Sequence, residues 1–215
     1  MYMWKRLFLI SCILSMFYLS SGGTAFAQTV PSNEMTSSFS YILKRNALIM
    51  AYAAEKAKEE GTFPTSVGLA FAEKVRPGGE WDYKTKLGRK KQYIFNGYLM
   101  KGEDLGNIHF GYVARAATIP IELIATAEGA ALIYHGDKYK GWADSYFDQP
   151  NDEAGRAQGV MFWDNKTLPD PYGPPPPPVK PFESAKEQPK FKALTIKEKT
   201  EIKADIQRIS KELLK

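Results

Sequence analysis

Five consecutive prolines, Pro174 to Pro178, constrain this chain more firmly than any other feature. Proline has no amide hydrogen to donate and a fixed φ, so such a run joins neither a helix interior nor a central strand. With Asp170-Pro171-Tyr172-Gly173 before it and Val179-Lys180-Pro181 after it, residues 169–181 read as a stiff, extended spacer. The main core must therefore be built upstream. Roughly 135 residues separate the spacer from an N-terminal leader, enough for one domain with a real interior.

The leader carries Lys5 and Arg6, an apolar stretch from Leu7 to Leu19, and Ala25-Phe26-Ala27 before Gln28. That is the pattern of a secretory signal peptide over residues 1–27, so the mature chain is expected to begin at Gln28, secreted across the inner membrane to a periplasmic or extracellular location. Ser11, Ser15 and Ser20 to Gly23 interrupt the run, against the roughly 20 apolar residues of a spanning helix. Leu9-Ile10-Ser11-Cys12 also resembles a lipoprotein processing site, but only about four apolar residues would precede the modified cysteine, where about 7 to 15 are usual. Cys12 is the only cysteine and leaves with the signal, so disulfides, thiol catalysis and cysteine-bound zinc are excluded for the mature chain.

Beyond the spacer, the charged tail over residues 182–215 contains Thr195-Ile196-Lys197-Glu198, the form of a helix capping box. Ile202, Ile206, Ile209 and Leu213 follow at helical spacing, which predicts one amphipathic helix. Two roles stand for it: a solubilising tail that docks loosely, or a helix that binds an envelope component or partner protein. A domain ending near Asp170 is expected to fold without it.

The net charge of +5 suggests nucleic acid until it is apportioned. From Asn33 to Lys166, 17 Lys plus Arg face 17 Asp plus Glu, and the excess lies in the leader and the tail. A phosphate-tracking surface needs clustered positive charge. The one dense cluster in the core is Lys84, Lys86, Arg89, Lys90 and Lys91, which suits either a polyanion site or a solvated loop.

Within residues 28–168 the patterning predicts an α+β fold, a mostly helical single domain with a small β-hairpin or sheet element. A helix is expected over Ser38 to Glu60, closed by Gly61, and another over Ser66 to Val75, stopped by Pro77-Gly78-Gly79. Aromatic and branched residues alternate with polar ones between Trp81 and Met100, and Asn96-Gly97 marks a hairpin turn. Helix returns from Gly111 to Tyr134, with a break at Pro120, and again from near Pro150 to Phe162. No phosphate-binding glycine loop, His-Glu-x-x-His helix or Gly-x-Ser-x-Gly turn is present.

Candidate chemistry lies in three polar clusters. His109 sits in Gly106-Asn107-Ile108-His109-Phe110-Gly111, where the glycines free the backbone to present it to a cleft. It could act as a general base, with Asn107, two residues away on the same side of an extended strand, orienting it or donating to an oxyanion. On spacing alone a hydrogen-bonded structural imidazole in an aromatic-lined turn is the better account of a lone histidine. Asp148 and Asp152 flank Pro150; one can cap a helix there, and two carboxylates together can divide into acid and base or hold a divalent cation. No other cofactor is implied. Asp82, in Trp81-Asp82-Tyr83-Lys84, is a further candidate or a cap, and Lys84, Lys90 and Lys91 are candidate substrate-binding cations.

In their order, Trp-Asp-Tyr-Lys, Gly-Asn-x-His-x-Gly, a small-residue helical stretch, and Asp-x-Pro-x-Asp followed by Gly159 resemble the bacterial polymorphic toxin type 44 domain over roughly Gly79 to Asn165. The resemblance implies a toxin module, with His109, Asn107, Asp148 and Asp152 as functional positions, a nucleolytic activity proposed for the family by analogy, and a cognate immunity protein as a partner. This chain departs from the pattern in its own leader, its spacer and tail, and in Gln149, where family members often carry a second acid.

Three functions follow. The first is an exported hydrolase of the envelope acting on peptidoglycan, through two carboxylates on glycan or through His109 with an acid on peptide bonds. The second is a secreted ribonuclease toxin, with His109 as base and Lys84 or the neighbouring bases stabilising the phosphate. The third is a non-catalytic exported binding protein.

Overall fold

The structure is a computed structural model and describes residues 33–120, 150–169 and 191–214. The leader, Asp148, the helix expected beyond Pro120 and the proline run lie outside the described residues. The fold is α+β, mostly helical with one two-stranded antiparallel sheet.

Helix α1 (Thr36–Glu59) buries one stripe, Phe39, Leu43, Ala47, Met50, Ala54 and Ala57, at the three-and-four spacing that keeps side chains on one face. Gly61, at φ +69, ends it where the sequence says it should. Helix α2 (Thr65–Val75) packs Val67, Phe71 and Val75 into the same core. The hairpin is shorter than predicted: its first residues form a one-turn helix α3 (Tyr83–Leu87), and the strands are β1 (Gln92–Phe95) and β2 (Tyr98–Lys101). Phe95 pairs with Tyr98, and Asn96 and Gly97 between them both have positive φ, the two-residue turn that matches strand twist. Before α1, Met35 N donates to Ile94 O at 2.9 Å and Ile94 N to Asn33 O at 3.0 Å, tying the start of the domain to β1.

Helix α4 (Gly102–Ala116) begins at Gly102 rather than Gly111, and Asp104 caps it by accepting from Lys101 N at 2.8 Å. The segment read as an extended strand is therefore helical, and its glycines serve packing. Helix α5 (Pro150–Asp164) starts at the predicted proline. It runs parallel to α4: Asn107 meets Asp152, Gly111 meets Arg156, Tyr112 meets Trp163, and Arg115 meets Asp164. The backbones nearly touch. A Cβ on Gly111 would lie 2.0 Å from Arg156 O, and one on Gly159 would lie 2.2 Å from Ile108 O.

Helix α6 (Ile196–Leu213) opens with the predicted capping box on Thr195 and Glu198. It is seated on α1 and α2 rather than loosely tethered. Ile206 and Ile209 are buried in the core, Ser210 and Thr62 share a hydrogen bond at 2.7 Å, and Arg45 pairs with Glu198. Removing the tail would expose the apolar surface of α1 and α2 that those two isoleucines cover, so a domain ending near Asp170 is expected to be less stable than the full chain. Among the described residues no helix is long and apolar enough to cross a membrane.

Candidate active site

Helix α3 presents two consecutive residues to two different polar clusters, and their positions separate the predicted site residues. Lys84 enters the junction of α3, α4 and α5, where it is only 1% exposed. Its ammonium donates to Asp152 Oδ1 at 2.9 Å, and Asn107 Nδ2 donates to the same oxygen at 2.6 Å. The close approach that allows this comes from glycine on both sides: a Cβ on Gly106 would lie 2.5 Å from Lys84 Cγ, and one on Gly155 would lie 2.6 Å from Asn107 Cβ. Arg156, one turn beyond Asp152 on α5, is buried beside them. Burial pulls its guanidinium below its ordinary pKa, against the raising effect of Asp152 and Glu153.

Tyr83 and His109 belong to the second cluster. Asn46 on α1 donates to His109 Nε2 at 2.9 Å and lies 3.1 Å from the Tyr83 hydroxyl, while the His109 ring packs against Tyr83 and Trp81 at centroid distances of 4.6 and 5.7 Å. Because the Asn46 amide donates, Nε2 accepts and the ring proton of neutral His109 resides on Nδ1. Burial pushes the His109 pKa down to about 3 and raises that of Tyr83. His109 and Asn107 are thus not partners on one side of a strand. On a helix, two residues are separated by about 200°, so Asn107 faces α5 while His109 faces α1. A neutral imidazole enclosed by aromatic rings packs here against α1 and α3, away from the Asn107 side of α4.

A pH dependence follows. Unfolded His109 takes up a proton near pH 6.5, but the folded form stays neutral until about pH 3. The folded pKa is the lower one, so stability is lost as pH falls below 6.5, by about 2 kcal/mol between pH 7 and pH 5. Chemical denaturation at both pH values should show this loss, and His109→Gln should abolish most of it; an unchanged slope in that variant would show that other groups carry the dependence.

Asp82 is a cap. Its two carboxylate oxygens accept from Thr85 N at 3.2 Å and Gly78 N at 2.9 Å, holding the start of α3 and the turn before it. Lys90 and Lys91 are exposed on the loop before β1, with Lys91 over the Tyr93 ring. Asp148 lies outside the described residues, so no carboxylate pair with Asp152 is described, and among the described residues no three His, Cys, Asp or Glu side chains converge as a metal site. A groove of about 310 Å³ between α1, α2 and α6 contains none of the predicted site residues.

The structure therefore joins Lys84, Asn107 and Asp152, and sets His109 and Asp82 apart from them. Sequence reasoning missed Asn46 and Arg156. Arg156 was accessible in principle, four residues after Asp152 and hence on the same helix face; nothing local marks Asn46. No family model, no curated protein sequence and no solved structure matches the chain.

Proposed function

We propose that the chain is an exported, toxin-like hydrolase acting on peptidoglycan, with Lys84, Asn107 and Asp152 as its reaction centre. One observation carries the reading: a lysine and an asparagine, both fully buried, donate to a single oxygen of a buried aspartate. A buried ion pair adds little to stability, because desolvation offsets its Coulomb attraction. Such constellations concentrate where chemistry is done. Asp152 supplies a carboxylate able to activate water, Lys84 a cation able to stabilise developing negative charge, and Asn107 a fixed donor that orients the carboxylate. The resemblance to the toxin type 44 domain includes Asn107 and Asp152, and the leader pattern supports export. His109 acts through packing on α3, which carries Lys84.

The basic cluster supports the wall over RNA. Lys84, the first base of the cluster, is buried and paired with Asp152, so it is withdrawn from any exposed phosphate-tracking face. Arg156 favours the second reading, a secreted ribonuclease toxin, because it places a guanidinium beside the same carboxylate as Lys84.

Expression with and without the leader tests both. Lysis from the periplasm, with muropeptides released and the effect lost in Asp152→Asn, is the expected result. Toxicity confined to the cytoplasm would replace the wall reading with the RNA one, and none in either compartment would leave an exported binding protein.

A further inference from the structure

We propose that Asn107 Oδ1 is the acceptor that recognises the substrate, and that the group it recognises is a secondary amide N–H. This rests on the reading of the Lys84, Asn107 and Asp152 cluster as a substrate site. Asn107 is completely buried, and its Oδ1 has no hydrogen-bond partner. The orientation of the amide is not arbitrary. Asp152 Oδ1 also receives Lys84, and an ionised carboxylate can only accept, so the Asn107 nitrogen must face it and the oxygen must face away. The rotamer is pinned as well, because Gly155 brings the α5 backbone against Asn107 Cβ.

A buried acceptor left without a donor is destabilising, and asparagine is a poorer helix former than leucine or alanine. Asn107 incurs both penalties in the interior of α4, while one of its two polar atoms does all the work of holding Asp152. Its other atom is set to be satisfied by something that enters. An acceptor selects a donor: a secondary amide offers an N–H beside a carbonyl, whereas a phosphodiester group offers only acceptor oxygens, and the donors RNA does carry, its 2′-hydroxyls and base N–H groups, are tested by the RNA probe below. Peptidoglycan carries that group in two places, the stem-peptide bonds and the 2-acetamido groups of its sugars. If the stem bond is the one cleaved, water adds across it: the carbonyl carbon gains the hydroxyl, the C–N bond breaks, and the amine leaves with the proton. Because Oδ1 is sealed from water, a ligand reaches it only through an opening motion, and association is slower than diffusional encounter.

Calorimetry on the full mature chain tests the inference, with three probes: a stem tripeptide containing diaminopimelate, a tetrasaccharide of N-acetylglucosamine, and an RNA oligonucleotide. Binding of one of the amide probes, weakened at least about tenfold in folded Asn107→Leu, is expected, and Asn107→Asp, which keeps an oxygen at the acceptor position, should lose less than Asn107→Leu. An arm that needs no variant compares the bound probe with an analogue whose N–H is replaced: the ester in the tripeptide, or the O-acetyl sugar in the tetrasaccharide. The wild-type protein should bind this analogue at least about tenfold more weakly. Equal affinity for amide and analogue, or binding of RNA alone, would overturn the proposal. Release of muropeptides from intact sacculi is scored separately: amide binding without release removes the hydrolase reading and keeps this one, and release with no discrimination for the N–H does the reverse.

Discussion

Asp152→Ala should destabilise the fold by about 3–5 kcal/mol, the usual consequence of taking the carboxylate away from a buried ammonium. Lys84 is 1% exposed and cannot turn to water without opening the junction of α3, α4 and α5. Loss of activity in this variant would by itself say nothing about chemistry. The informative comparison is the double variant Lys84→Met, Asp152→Asn, which removes both charges together, keeps an acceptor oxygen for Asn107 Nδ2 and should recover most of the lost stability, since replacing a buried ion pair by uncharged side chains of similar volume is often neutral. Urea denaturation of the two variants should therefore diverge while both are inactive. A double variant that folds and keeps full toxicity would remove the pair from the reaction centre.

The second large effect is steric. Alanine at Gly111 or Gly159 would gain about 1 kcal/mol of helix propensity on an exposed helix. Here the added methyl would meet a carbonyl oxygen of the facing helix at 2.0 or 2.2 Å, and backbone cannot step aside as a flexible side chain can. The two helices must move apart, at a net cost of about 3 kcal/mol. Activity should fall with it, because the Asn107 to Asp152 bond spans the same interface. Thermal denaturation of either alanine variant checks this, and a raised melting temperature would mean that the helices tolerate a wider spacing.

These glycines also mark where sequence reading succeeded and where it went astray. Asn96-Gly97 announced the hairpin turn because two adjacent positive-φ residues have few other uses, and Gly61 closed α1 for a related reason. Gly106 and Gly111 were read by the same logic, as backbone freedom around His109. They lie instead in regular helix, where the value of glycine is the missing side chain. That error moved Asn107 and His109 onto one face and suggested a dyad that the fold does not make. The start of α5 at Pro150 was legible from the proline, but Asp152 facing inward was not: an acid in a first turn is well explained by the helix terminus alone. Lys84 was grouped with Lys86, Arg89, Lys90 and Lys91 by proximity in sequence, as a polyanion site or a solvated loop, whereas its burial depends on a partner 68 residues away. Contacts of that separation leave no local periodicity to read.

The parallel course of α4 and α5 bears on the order in which the molecule is assembled. Parallel neighbours cannot be joined by a tight turn: the end of α4 and the start of α5 lie at opposite ends of the pair, about 22 Å apart along the axis, so the connection between them is a long one in sequence. The hairpin and α1 to α4 can meet through shorter loops, and closing the longer one carries the greater entropic cost. Asp152 reaches Lys84 and Asn107 only when that closure is complete, so this buried polar cluster, built from three helices, depends on the docking of α5 more than on any contact within one helix.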